Sequence, residues 1–122
     1  MIEKLEGFPG DVLGFVCKGV VTRRDYEDVL VPAVNAALKS HEKLRLYYEI
    51  SPEFTAIEPG AMWEDFKTGM EHFLSWERIA VVTDIEWIAH TARAFTFMMP
   101  AEVRVFPLKD SAAARRWLVS GE

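Results

Sequence analysis

Several features that would indicate a particular chemistry are scarce or missing in this sequence. It has one cysteine, Cys17, so no internal disulfide can form. Its three histidines lie far apart, without the His-x-x-x-His or Cys-x-x-Cys spacing of a metal site. Neither a G-x-S-x-G nucleophile elbow nor a glycine-rich phosphate-binding loop occurs. We therefore expect no cofactor, no metal and no enzymatic activity.

The sequence also has fewer basic than acidic residues and lacks long apolar runs. The chain has 14 Lys and Arg against 19 Asp and Glu, and this balance argues against nucleic acid as a partner. No apolar run approaches the roughly 18 residues of a membrane span. The first residues lack the basic and apolar regions of a signal peptide, and Cys17 lies in an apolar stretch typical of a buried thiol. We expect a cytoplasmic location.

What the chain does have is enough apolar surface for a packed core. Half of its 122 residues are hydrophobic and 12% are aromatic, which predicts one domain over residues 1–122. Alternation and helical spacing predict strands at 2–6, 12–20, 44–50, 79–82 and 103–106, and helices at 23–40, 61–74, 85–98 and 111–119. The order β-β-α-β-α-β-α-β-α indicates an α/β fold with a mostly parallel sheet and one antiparallel N-terminal hairpin.

Local signals refine these elements. Thr22 and Asp25 match a capping box at the start of the first helix, and Pro32 should kink that helix or split it in two. Asp84 is expected to cap the third helix. Residues 51–60 hold two prolines and no clear period, so we expect the longest loop there.

The carboxyl ends of parallel strands are where ligands bind in open α/β sheets, and one set of candidate residues falls there. The segment 51–60 and the next helix start supply Phe54, Glu58 and Trp63, and the following unit supplies Asp84 and Trp87. Acids and aromatic rings together could line a small-molecule pocket. Alternatively, Asp84 only caps a helix and the tryptophans fill the core.

A second candidate is a stripe on the predicted third helix. Glu86, His90, Arg93 and Phe97 share one face by their spacing, opposite an apolar face of Trp87, Ile88, Phe95 and Met98. The stripe suits a protein partner, but it could equally be a solvated face on which Glu86 and His90 pair across one turn. Phe97 is the exception on that face, because an aromatic ring among charges needs a surface to cover it.

Several segments together resemble one known family. They are Leu46-Tyr47-Tyr48-Glu49, residues 63–67, Glu77 to Asp84 with Trp87, Val103 to Phe106, and the final group Ala114, Trp117 and Leu118. This succession is similar to the STAS/SEC14-type, SpoIIAA-like family of small uncharacterised bacterial proteins. The resemblance implies a fold related to anti-sigma-factor antagonists. Those proteins carry a phosphorylatable serine where this chain reads Glu58-Pro59-Gly60-Ala61, so a phosphoserine switch is not expected.

These observations favour a non-enzymatic binding or regulatory module that acts through protein–protein contacts, either with another protein or as a homodimer. The candidate contact residues are Phe54, Glu58, Trp63, Asp84, Trp87 and Phe97. The alternative is a carrier or sensor of a small apolar, lipid-like ligand held near Trp63, Phe66 and Trp87. A cavity at the carboxyl ends of the strands would favour a ligand, and a flat apolar patch would favour a partner.

Overall fold

The computed structural model describes residues 1–61, 63, 67, 75–97 and 100–120, and its centre is a five-stranded sheet. The strands are β1 (Ile2–Leu5), β2 (Val12–Val21), β3 (Leu44–Ile57), β4 (Trp76–Val82) and β5 (Glu102–Phe106). They lie side by side in chain order. β1 is antiparallel to β2, and every later pair is parallel. The predicted α/β fold with one antiparallel hairpin is confirmed.

Helices connect the parallel strands and follow the last one. Their bounds are α1 (Arg23–Asp25), a π-helical turn (Tyr26–Leu30), α2 (Val31–Leu38), α3 (residues 59–61, 63 and 67), α4 (Glu86–Phe95), a 3-10 turn (Leu108–Asp110) and α5 (Ser111–Ser120). The rest of the helix predicted at 61–74, and Met98 at the end of the one predicted at 85–98, lie outside the described residues. No described helix has the length and apolar character of a membrane span.

The first helical region begins and divides where the sequence predicts. The Thr22 side chain accepts from the Asp25 amide, and the Asp25 carboxylate accepts from the Thr22 amide at 2.7 Å. Burial alone would raise the pKa of Asp25, but these hydrogen bonds and the nearby amino group of Met1 hold it below its usual value. Pro32 has no amide hydrogen, so the α-helical bond at that turn is lost, and the Val31 amide instead bonds to the Tyr26 carbonyl five residues back.

β3 is longer than predicted, because a bulge carries the strand through its proline. Cys17 pairs with Ile50 and Gly19 with Phe54, so three residues of β3 face one residue of β2. Gly19 has a φ of +57°, which a glycine adopts without strain. Pro52 lies in this bulge, where a strand tolerates the missing amide hydrogen. The loop predicted at 51–60 was therefore wrong over most of its length.

Alternating residues of the sheet build two separate cores on its two faces. On one face, β-strand residues such as Phe15 and Ile50 pack against Tyr26, Leu30 and other residues of the connecting helices. On the other face, Tyr47, Ala80 and Val82 pack against Ala114, Trp117 and Leu118 of α5. We call these the connecting-helix face and the α5 face. Cys17 is fully buried on the first, as its apolar context predicts.

Candidate functional site

A cleft opens where β4 and β5 end, beside the first turns of α4. It encloses about 460 Å³ and is open to solvent on one side. Its position at the carboxyl ends of two parallel strands is where ligand sites occur in sheets of this type. Its lining residues are Thr83, Asp84, Ile85, Glu86, Ala89, His90, Arg93, Val105 and Pro107.

Two side chains at the end of β4, those of Thr83 and Asp84, accept backbone hydrogen bonds, and neither of them caps α4. Ile85, not Asp84, is the residue that precedes α4, and no side chain caps this helix start. The Asp84 carboxylate instead accepts from the Leu108 amide at 3.0 Å, and the Thr83 hydroxyl accepts from the Ile85 amide at 3.0 Å. The predicted helix cap was wrong because Asp84 lies one residue too early. The hydrogen bond from the Leu108 amide to Asp84 links the end of β4 to the segment after β5.

Three members of the predicted stripe on α4 form one wall of this cleft. Glu86, His90 and Arg93 all line it, and all three side chains are exposed. Within the described part of the chain, none of them has an ion pair or a side-chain hydrogen bond with another residue. The predicted pairing of Glu86 with His90 is therefore not formed. The wall presents one acid, one imidazole and one guanidinium to whatever enters.

Phe97 continues the spacing of that stripe just beyond the helix. Its amide bonds to the Ala94 carbonyl in a turn after α4, and its side chain is 92% exposed. The prediction of an aromatic ring on the outer face is confirmed. Met98 and Met99, which follow it in the sequence, lie outside the described residues.

The apolar character of Trp87 predicted that it lies on the buried face of α4, but it does not. Ala89 and Ala92 form the inner face, and Trp87 precedes them by two and five residues, which places it on nearly the opposite side at 100° per residue. Its side chain is 50% exposed. The placement of Trp87 on the inner face was wrong, and α4 therefore carries an exposed aromatic ring in addition to Phe97 in the turn after it.

The remaining candidates do not line the cleft. The Phe54 side chain packs partly against the connecting-helix face of the sheet. The Glu58 carboxylate accepts from the Arg23 amide at 3.3 Å, so it supports the start of α1. Trp63 on α3 is 59% exposed, and Phe66 lies outside the described residues. Of the six predicted contact residues, the cleft contains Asp84 alone.

A polar group on the α5 face was not predicted. Tyr47 is fully buried there, its hydroxyl donates to the Glu49 carboxylate at 2.5 Å, and the Arg115 guanidinium lies 4.9 Å from the centre of its ring. Burial, together with the hydrogen bond to Glu49, raises the pKa of Tyr47 to about 12. The signal was present in the sequence, since residues two apart on a strand share a face. The Arg115 guanidinium over the Tyr47 ring is a contact between α5 and the sheet.

Charge and shape define what the cleft can do. It brings together carboxylates, an imidazole and a guanidinium over a floor of Ala89, Val105 and Pro107. Among the described residues, no three histidine, cysteine or acidic side chains come close enough to hold a metal ion. The arrangement offers charge-assisted hydrogen bonds and ion pairs to a polar or charged group.

Comparisons with known proteins place this fold in a family. A family model described as SpoIIAA-like matches residues 12–119. Among solved structures, the chain is similar to the crystal structure of an uncharacterised protein of the DUF3478 family, with a SpoIIAA-like fold, from Shewanella loihica PV-4. The two share 26% identity and a TM-score of 0.76 over 96% of this chain and 93% of that one. No curated protein matches the chain significantly. The resemblance predicted from the sequence is confirmed.

Proposed function

We propose that this chain, which belongs to the SpoIIAA-like family, is a non-enzymatic binding module that acts through protein–protein contacts. The observation that carries the proposal is the exposure of two aromatic side chains, Trp87 and Phe97, on α4 and the turn after it. Burying a side chain of this size against a partner contributes roughly 1.5–3 kcal/mol. Aromatic residues of this kind are the ones that carry most of the binding energy in protein interfaces.

The proposed module works without a phosphoserine switch. Glu58, Pro59, Gly60 and Ala61 occupy the start of α3, where no hydroxyl is available, and the Glu58 carbonyl accepts the Ala61 amide. The nearest serine, Ser51, is buried in the bulge of β3, and its hydroxyl accepts from the Glu53 amide at 3.1 Å. Neither position offers a kinase an exposed hydroxyl, and the exposed Thr55 lies upstream on β3, outside this junction.

The cleft favours a protein partner over a small apolar ligand. An apolar ligand binds in an enclosed pocket with mostly hydrophobic walls. Charged side chains of Asp84, Glu86 and Arg93 line this cleft, and it is open to solvent. This cleft therefore suits a protein partner better than an apolar ligand. The place expected for an apolar ligand, near Trp63, Phe66 and Trp87, is not this cleft and includes a residue outside the described ones.

The test compares the wild-type chain with Phe97→Ser and with Val119→Ser. Val119 is an exposed apolar residue on α5, which packs on the other face of the sheet, so it is a matched control. We expect sedimentation and affinity capture with purified bait to show a complex, either a homodimer or a heterologous one. The Phe97→Ser change should weaken that complex about tenfold or more, with little effect from Val119→Ser.

This function would be contradicted by a strict monomer at micromolar concentration that captures no protein above a bait-free control. A complex that both serine variants form as tightly as the wild-type chain would instead exclude Phe97 from the contact surface.

A further inference from the structure

β5 has one edge that no other strand covers. The strand lies at the end of the sheet and pairs with β4 on one side, and within the described part of the chain nothing pairs with its other side. An uncovered strand presents a row of backbone donors and acceptors to which another chain can add. β5 borders the cleft, because Val105 is one of the lining residues.

The direction of the backbone groups on β5 follows from one hydrogen bond. The Phe106 carbonyl accepts from the Thr83 amide at 2.9 Å, so the backbone groups of Phe106 face the β4 side. Because successive residues of a strand face opposite sides, the N–H and C=O groups of Val105 and Val103 point to the uncovered edge. Their side chains share the sheet face of Ile79 and Val81, with which they pair in the ladder.

α4 packs against β5 and supplies the second wall of the cleft. Ala89 is buried and small, so it leaves room between the helix and Val105. Glu86 lies near the end of the cleft formed by Asp84 and Pro107, and Arg93 lies two turns further along α4. The wall is therefore negative at one end and positive at the other.

The geometry points to the groove between β5 and α4 as the site that takes an extended peptide segment of a protein partner as a sixth strand. Backbone hydrogen bonds to Val103 and Val105 would supply affinity, and the charges on α4 would supply specificity. The complementary segment carries a basic residue toward Asp84 and Glu86, and an acidic residue toward His90 and Arg93.

The spacing of those two charges is set by the helix. Seven residues separate Glu86 from Arg93, which corresponds to roughly 10 Å along a helix that rises 1.5 Å per residue. Because alternate residues of a strand share a face, two peptide side chains that both reach α4 lie two or four positions apart, about 7 or 13 Å, which brackets that distance. The recognised segment is therefore short, with β-branched or other sheet-forming residues between a basic and an acidic side chain.

The experiment selects binders from a displayed library of random nonapeptides and measures the affinity of the synthetic selected peptides. Val105→Pro removes the outward amide hydrogen, and an edge strand tolerates it because that group makes no bond to β4. Val105→Ala is the matched control, because it shortens the side chain and keeps the amide. We expect selected peptides with opposite charges two or four positions apart, on one face of the added strand. Their affinity should fall about tenfold with Val105→Pro and with Arg93→Glu, and far less with Val105→Ala.

Hydrogen exchange gives an independent readout of the same contact. In the complex with a selected peptide, exchange of the Val103 and Val105 amides should slow, while exchange of Arg104, which faces β4, should change little. The inference is overturned if no peptide is enriched over bare support, or if enriched peptides bind the Val105→Pro and Val105→Ala variants equally well.

The inference rests on the proposed protein-binding function, and the two can fail separately. If a protein partner is lost with Phe97→Ser but is unaffected by Val105→Pro, the binding function stands and strand addition at β5 is wrong. If neither proteins nor peptides bind, both are wrong.

Discussion

At the scale of single residues, Tyr47 links the ionisation of one side chain to the stability of the protein. Its hydroxyl is buried on the α5 face and hydrogen-bonded to Glu49, and its pKa is raised to about 12 against an ordinary value of 10.0. Between those two pH values the folded protein holds a proton that the unfolded chain releases. The stabilisation that Tyr47 contributes is therefore complete below pH 10 and is lost as the pH rises toward 12.

The variant Tyr47→Phe tests this at the same residue. It removes the hydrogen bond to Glu49, so at pH 7 we expect the free energy of unfolding to fall by about 1–2 kcal/mol. Above pH 10 the loss in the wild-type protein should be steeper than in the variant, so the two stability curves converge. Urea unfolding from pH 7 to pH 11.5 measures both effects. Parallel curves across that range would show that Tyr47 does not couple to pH.

At the scale of elements, α5 is held at its C-terminal end by arginines from the sheet. The last carbonyls of a helix have no partner within it and need one from elsewhere. The Arg45 guanidinium donates to the Leu118 and Val119 carbonyls and forms an ion pair with Glu77 at 2.6 Å. Arg78 donates to the Trp117 carbonyl at 3.0 Å. Cations also suit the negative end of the helix dipole.

Removal of this contact should loosen α5 first. For Arg45→Ala we expect a loss of about 1–2 kcal/mol in the free energy of unfolding, with faster hydrogen exchange in the last turn of α5 than in β2 or β3. Arg116→Ala is the control, because Arg116 is exposed on α5 itself. Equal exchange rates in the two variants would mean that the sheet arginine does not hold the helix end.

The helices and strands also show which structural features can be predicted from the sequence. The order of strands and helices, the capping box at Thr22 and the split at Pro32 follow from local patterns, because each depends on residues close together in the chain. The extension of β3 does not. Pro52 reads as a strand breaker, and only the pairing with Gly19 of β2 absorbs it in a bulge.

The candidate site was predictable in part for the same reason. Glu86, His90 and Arg93 are spaced four and three residues apart, so the sequence predicts that they share one face of the helix. That this face forms one wall of a cleft depends on Val105 and Pro107, which come from a different element. Trp87 was misplaced because two small alanines, not the large ring, form the inner side of α4.

At the scale of the whole molecule, one sheet supports two cores and therefore couples them. Trp117 is buried on the α5 face, 6.0 Å from the ring of Phe106 and beneath the Arg104 guanidinium at 5.2 Å. Trp76 belongs to the core on the connecting-helix face. Because the same strands carry both cores, neither face can lose its packing without disturbing the other.

We expect Trp117→Ala to lower the free energy of unfolding by about 3–5 kcal/mol, and the whole protein to unfold in a single step. Far-ultraviolet circular dichroism and tryptophan fluorescence, to which Trp76 contributes, should give coincident urea transitions. Val119→Ala, an exposed site on the same helix, should change stability by less than about 0.5 kcal/mol. Two separate transitions in the Trp117 variant would show that the faces fold independently.

The order of strands in the sheet has a kinetic consequence. Each strand from β2 to β5 pairs with the strand that precedes it in the chain, so no strand waits for a distant partner. The parallel pairs nevertheless join residues far apart in the chain, such as Val12 with Arg45 and Arg78 with Glu102, and closing loops of that length makes pairing slower than in a helical bundle. During synthesis, which releases the N-terminal strands first, the sheet can grow one strand at a time. α5 then docks last, across β3 and β4, which are already in place.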